Sequence, residues 1–191
     1  MHYKIRKRIM RSTLLYIVTL LGYMFFLSSC AGLNVKLDTP EKSSVRGNRV
    51  MVFPFYDPFY KGHQVQGVGE PFATVFTNKL LAAGNSAELP KSREFSSLNM
   101  VDVEKACRYA ADNGYAMLIT GIITEWIDGA TNWSGTVDVA AITVKVYLSN
   151  TCELSGSASG RQNGRWFTFV NAPTTRFFEP LSKEIVEVLL K

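Results

Sequence analysis

The 191-residue chain is poor in the residues that most catalytic and metal sites use. It has two histidines and three cysteines, and His2 lies in a basic N-terminal segment. The remaining histidine and the two cysteines beyond residue 30 match no compact zinc-ligand spacing. His63 would have to serve as the base of any serine or cysteine triad, but no Gly-x-Ser-x-Gly motif accompanies it. The sequence therefore predicts no catalytic residue, no metal and no cofactor.

The chain also lacks a nucleotide-binding motif. Gly67-Val68-Gly69-Glu70 has neither the third glycine of a dinucleotide fingerprint nor the Lys-Ser/Thr pair of a P-loop. Glycines before a helix can expose backbone N–H groups to an anion, but Glu70 would repel a phosphate. Loop flexibility and entry into the helix explain these glycines more simply.

The net charge of +5 belongs to the N-terminal segment and not to the rest of the chain. Five of the 21 basic residues and none of the 16 acidic residues precede Cys30, so 16 of each sign remain from Cys30 onward. A neutral body lacks the electrostatic attraction that dominates non-specific binding to DNA or RNA. We therefore expect no nucleic-acid partner.

The first 29 residues have the order of parts of a signal peptide. A basic stretch ends at Arg11, an apolar run covers residues 14–27, and Leu27-Ser28-Ser29-Cys30 closes it. A run of about 14 residues spans roughly 21 Å as a helix, less than the ~30 Å core of a bilayer. The closing tetrapeptide resembles the lipobox of bacterial lipoproteins. The resemblance implies cleavage before Cys30 and attachment of palmitate-like acyl chains to it.

The alternatives to lipidation are an uncleaved N-terminal anchor and an ordinary secretory signal with an incidental cysteine. Two or three acyl chains would give essentially permanent membrane attachment. In lipoproteins, the absence of aspartate after the cysteine resembles an outer-membrane destination. Ala31 and Gly32 therefore predict a periplasm-facing outer-membrane lipoprotein in preference to an inner-membrane one.

Beyond Cys30 the sequence predicts a flexible tether over 30–48 and one domain over 49–191. The domain opens with a buried strand at 50–55 and contains amphipathic helices at 70–83 and 100–113. A short edge strand is predicted at 87–89, an antiparallel pair at 116–126 and 139–148, and a third strand near an edge at 154–161. Pro180 marks the first turn of a closing helix. This order indicates an α+β fold, a mixed sheet covered by helices.

The Trp-x-Asp-x-Ala-Thr-x-Trp-Ser-Gly run at 126–135 resembles a family of bacterial lipoproteins of unknown function. The wider pattern, from the strand at 49–55 through 114–121 to the last helix, is similar to curli-secretion lipoproteins, activators of penicillin-binding proteins and the N-terminal domain of TolB. The resemblance implies an anticodon-binding-like sandwich in the cell envelope. Function does not follow from fold alone.

Aromatic and charged residues at the predicted strand ends form the candidate interaction surface. Aromatics in such places anchor protein partners or stack on sugars, and they also pack over sheet ends. The surface consists of Tyr56, Asp57, Phe59, Tyr60, Trp126, Asp128, Trp133, Arg165 and Trp166. Cys107 and Cys152 either form a disulfide, which an oxidising periplasm permits, or remain free.

These features predict a non-enzymatic, membrane-tethered module that binds another envelope protein or a second copy of itself. The alternative is a lipoprotein whose aromatic loops bind a glycan or a small envelope molecule. Trapping of partners by crosslinking in cells would favour the first hypothesis, and saturable glycan binding without a protein partner would favour the second.

Overall fold

The computed structural model of the protein describes residues 32–38, 45–128, 137–164 and 173–191. Within these ranges the strands are β1 (Leu33–Leu37), β2 (Arg49–Val52), β3 (Phe59–Tyr60), β4 (His63–Gln64), β5 (Ser86–Glu88), β6 (Met117–Ile127), β7 (Val139–Leu148) and β8 (Leu154–Asn163). The helices are α1 (Gly69–Ala82), α2 (Val103–Asp112) and α3 (Phe178–Leu189), the last preceded by a 3-10 helix, Thr174–Phe177.

Six of the strands form one mixed sheet in the order β1-β8-β7-β6-β2-β5. β2 pairs in parallel with both β5 and β6. From β6 to β1 every pairing is antiparallel. The predicted α+β fold with a mixed sheet covered by helices is confirmed, and β5 lies at an edge as expected.

The main core lies between this sheet and the helices α1 and α3. The helices contribute residues at three- and four-residue steps, including Phe72, Phe76, Leu181 and Ile185. The rings of Phe72 and Phe178 meet edge to face, with centroids 4.9 Å apart. This aromatic contact joins α1 to α3 over the sheet.

α2 forms a second layer on the opposite face of the sheet. Its Ala106, Cys107 and Ala110 pack in a separate cluster with Phe53 and Leu118. A disulfide joins Cys107 to Cys152, which lies in the turn between β7 and β8, with Cα atoms 5.7 Å apart. Of the two states considered for these cysteines, the structure therefore shows the bridged one. The bridge fixes α2 to the sheet.

One prediction about the N-terminal part of the chain is wrong. Leu33–Leu37 lies inside the predicted tether, yet it forms strand β1. β1 pairs with β8 and forms the edge of the sheet, so β8 is the second strand from that edge and lies near it, as predicted. The reason that β1 forms is the alternation of Leu33, Val35 and Leu37 with polar residues, which places Leu33 and Val35 against the core.

No helix in the described ranges is both long enough and apolar enough to span a bilayer. The segment proposed as a signal peptide, 1–29, lies outside the described residues, as does Cys30.

Candidate functional site

Asp57, predicted to lie on an interaction surface, is instead completely buried at the start of α1. Its carboxylate accepts hydrogen bonds from the backbone N–H groups of Gly67, Val68 and Gly69 at 3.0, 2.9 and 2.6 Å. It also accepts one from the Ser97 hydroxyl at 2.8 Å. A negative charge at a helix N-terminus is favourable, since it meets unpaired N–H groups and the positive end of the helix dipole. Asp57 is therefore a structural residue and not a contact for a partner.

The hydrogen bonds to Asp57 make the glycine-containing loop at 67–69 a poor site for an anion. The N–H groups that a phosphate would need are those that Asp57 already occupies. Gly69 has a packing role, because a Cβ atom there would lie 1.7 Å from the Phe55 carbonyl oxygen. The loop N–H groups therefore bind the protein's own Asp57 carboxylate at the start of α1.

Phe59 and Tyr60 lie on a small hairpin that follows Asp57 in the chain. β3 pairs with β4 in the register Phe59↔Gln64 and Tyr60↔His63. The connection is Lys61-Gly62, and both residues have positive φ, 51° and 81°, as the tight two-residue hairpin turn requires. Phe59 is 55% exposed and Tyr60 is 38% exposed, which is high for aromatic side chains.

Tyr56 is half-buried at the base of the hairpin and borders a shallow apolar groove. Its ring lies 6.1 Å from that of Phe59. The groove lies between α2 and the sheet and is lined mainly by Tyr56, Met100, Val101, Val103, Ile122 and Tyr147. Burial raises the pKa of the Tyr147 phenol above its ordinary value.

Met100 and Leu98 are exposed residues that the sequence did not predict for the surface, and Met100 lines this groove. The sequence analysis placed Met100 inside a helix, whereas α2 begins after Asp102, whose side chain accepts a hydrogen bond from the Lys105 N–H. An aspartate three residues before that N–H is an N-cap signal. This signal would have placed Met100 in the preceding loop.

Trp126 belongs to the core and not to the surface. It is 5% exposed and its ring packs 5.7 Å from that of Phe178. The cause is a register shift in β6 between Ile123 and Glu125, which adds one residue opposite β7. Such a bulge reverses the side-chain alternation, so Trp126 points to the same face as Ile123.

Asp128 is exposed, but its carboxylate has a structural partner. It accepts hydrogen bonds from the N–H and the hydroxyl of Thr174, at 3.1 and 2.9 Å, at the start of the 3-10 helix. Trp133, Arg165 and Trp166 lie outside the described residues. The structure therefore brings together Tyr56, Phe59 and Tyr60 from the candidate surface.

The sheet face opposite α3 is open and polar near β1. It forms a cavity of about 530 Å³ lined mainly by side chains and backbone of Asn34, Lys36, Thr143, Ser159, Arg161 and Asn163. Both guanidinium contacts of Arg161 with Glu125 measure 3.0 Å, so the positive charge is paired. Among the described residues there is no cluster of three His, Cys, Asp or Glu side chains that could hold a metal, and His63 is exposed on β4.

The outer edge of β1 carries backbone groups that the sheet does not use. Asn163 N–H donates to Gly32 C=O, and Asp38 N–H donates to Ser157 C=O. In an antiparallel pair such bonded residues alternate with non-bonded ones, so Leu33, Val35 and Leu37 direct their N–H and C=O groups away from β8. No strand in the described part of the chain pairs with that edge. Leu37 is also 48% exposed.

No protein-family model and no curated protein matches the sequence. Solved structures do match the fold. PelC from Paraburkholderia phytofirmans, crystallised as a dodecamer, shares 14% identity and a TM-score of 0.61 over 83% of this chain and 98% of its own. A variant of the same dodecamer matches with 14% identity and a TM-score of 0.60, over 82% and 96% of the two chains.

Two further matches have lower TM-scores. Lipoprotein GNA1162 from Neisseria meningitidis has 12% identity and a TM-score of 0.48 over 74% of this chain and 97% of its own. The C-terminal domain of LpoB from Salmonella enterica has 17% identity and a TM-score of 0.40 over 60% and 82%. At 14% identity the PelC matches establish the fold alone, and the proposed motif family stays a prediction.

Proposed function

We propose that the protein is a lipoprotein of the bacterial outer membrane whose periplasmic domain is a non-enzymatic assembly module. Acyl chains on Cys30 would hold it to the membrane, and the outer edge of β1 would bind a second copy. The free β1 edge is the observation that carries this proposal. The disulfide between Cys107 and Cys152 agrees with an oxidising compartment such as the periplasm.

The position of β1 in the chain ties assembly to the membrane. Only Ala31 and Gly32 separate Cys30 from Leu33. Three residues of fully extended chain reach at most about 10 Å. A lipidated Cys30 would therefore concentrate copies of the protein on one surface with their β1 strands close to it. Restricting two partners to a surface raises their effective concentration and favours weak contacts.

The chemistry of the edge suits strand addition. β1 is five residues long and contains no proline, so three outward N–H and C=O pairs are available to a second strand. Lys36 is the single charged residue on the strand. PelC shares this fold and is a dodecamer, which supports a homo-oligomer as the assembled form.

Replacing Val35 with proline tests the proposal. Proline removes one outward N–H but no bond to β8, and an edge position tolerates it. The matched control Val35→Ala keeps the N–H and removes more of the valine side chain than proline does. We expect light scattering of the detergent-extracted, lipidated protein to show oligomers for the wild type and Val35→Ala, and mainly monomers for Val35→Pro.

Thermal unfolding of both variants checks that the proline acts on assembly and not on the fold. Two results would contradict the proposal. One is a wild-type protein that is monomeric in detergent, and the other is a Val35→Pro variant with the same mass distribution as Val35→Ala.

A further inference from the structure

The hairpin tip and the start of β1 lie at the same end of the sheet. Leu33 pairs with Gln162, Gln162 with Ala140, and Ala140 with Trp126, so Leu33 is level with Trp126 near the end of β6. On the far side of β6, Tyr56 bridges Ile122 in parallel, and β3 continues beside β6. The hairpin therefore extends toward the end at which β1 begins.

The distance across the sheet between the β3–β4 hairpin and β1 follows from the strand order. The hairpin continues the line of β2, which is four positions from β1 in the sheet. At 4.7–4.9 Å per strand, the two lie about 19 Å apart. If Cys30 is lipidated, a bilayer near Leu33 would also be within reach of the hairpin.

The hairpin tip has the composition of a segment that inserts at a membrane surface. Phe59 and Tyr60 are exposed, and the Lys61 ammonium group lies 5.1 Å from the centre of the Tyr60 ring. Residues 58–69 include no aspartate or glutamate, so no acid within the loop opposes an anionic headgroup. Aromatic rings with a neighbouring lysine favour the boundary between headgroups and acyl chains.

We infer that the β3–β4 hairpin is a second membrane contact, which inserts Phe59 and Tyr60 into the headgroup region beside the acyl anchor. This inference rests on the proposed lipidation of Cys30. The acyl chains supply the attachment, and the hairpin fixes the orientation of the domain, with the carboxyl end of β6 toward the bilayer. One anchor on a short linker leaves the domain free to rotate, whereas a second contact about 19 Å away opposes rotation.

An environment-sensitive fluorophore on a cysteine at position 60 tests this orientation. The Tyr60→Cys variant is matched by Leu154→Cys, because Leu154 is 47% exposed and lies at the start of β8, at the opposite end of the sheet. Labelling without reductant leaves the native disulfide intact. Lipidated full-length protein is reconstituted in phosphatidylethanolamine and phosphatidylglycerol vesicles, some of which carry spin-labelled lipid.

We expect the label at position 60 to shift to the blue and to be quenched by spin-labelled lipid, and the label at 154 to do neither. Flotation of the vesicles reports on the anchor separately. Protein that floats while label 60 stays exposed to water would overturn the hairpin contact and leave the lipid anchor standing. Protein that does not float would overturn both proposals.

A vesicle-free sample of the labelled Cys30→Ala protein separates the membrane from a protein partner. We expect its label at position 60 to report an aqueous environment at the concentration used with vesicles. A blue-shifted label in this sample would show that another copy of the chain covers the hairpin, which would also overturn the inference.

Discussion

Replacing Asp57 with alanine should lower the free energy of unfolding by about 3–5 kcal/mol. The buried carboxylate accepts four hydrogen bonds, three of them from backbone N–H groups at the start of α1. Alanine would leave these donors without a partner in a place that water cannot easily reach. Asp57→Asn should lower the free energy of unfolding by less, since the amide keeps one acceptor oxygen.

Asp102→Ala is the matched control for the Asp57 variant. Asp102 also precedes a helix, but it is exposed and accepts a single bond, from the Lys105 N–H at 3.1 Å. Loss of such a cap costs about 1 kcal/mol. Urea denaturation followed by circular dichroism compares the variants. If Asp57→Ala were no less stable than Asp102→Ala, the role assigned to the buried carboxylate would be wrong.

Removing the disulfide with the double variant Cys107→Ala and Cys152→Ala should destabilise the domain by about 4 kcal/mol. The bridge joins residues that are 45 positions apart in the sequence, so it strongly reduces the number of conformations open to the unfolded chain. Cys152 also has φ 58°, a left-handed conformation that a non-glycine residue adopts at a cost. The bridge holds that turn in place against α2.

Denaturation of the wild type with and without reductant provides the comparison for this variant. Reduced wild type and the double variant should unfold at similar urea concentrations, well below the oxidised protein. Hydrogen exchange should show the loss of protection first in α2, the helix that the bridge fastens. An unchanged midpoint on reduction would contradict the prediction.

The helices and the long antiparallel strands were the elements best predicted from the sequence. Phe72, Phe76 and Leu80 repeat at helical spacing, and the structure buries all three on α1. Such periodicity is local and strong over several turns. β1 has an alternating pattern too, but it is five residues long and its partner β8 begins 117 residues later. A short strand of this kind is stable only through that distant pairing, which composition does not show.

The candidate surface was predicted less well because two of its residues depend on tertiary structure. Asp57 follows a strand and precedes a proline, a pattern typical of an exposed turn. It is buried because its three N–H partners come 10 to 12 residues later. Trp126 turns inward because of one extra residue in β6, and a bulge has no reliable sequence signal. Phe59 and Tyr60 are exposed, which membership of the candidate surface requires, and their part in binding stays a prediction.

The lipid anchor on Cys30 is the central claim, and intact mass measurement of the native protein extracted from membranes tests it most directly. We predict a mature chain whose first residue is Cys30, with a diacylglycerol group on the Cys30 sulfur and a further acyl chain on its amine. A mass that includes residues 1–29, or one that corresponds to an unmodified Cys30 thiol, would contradict the account.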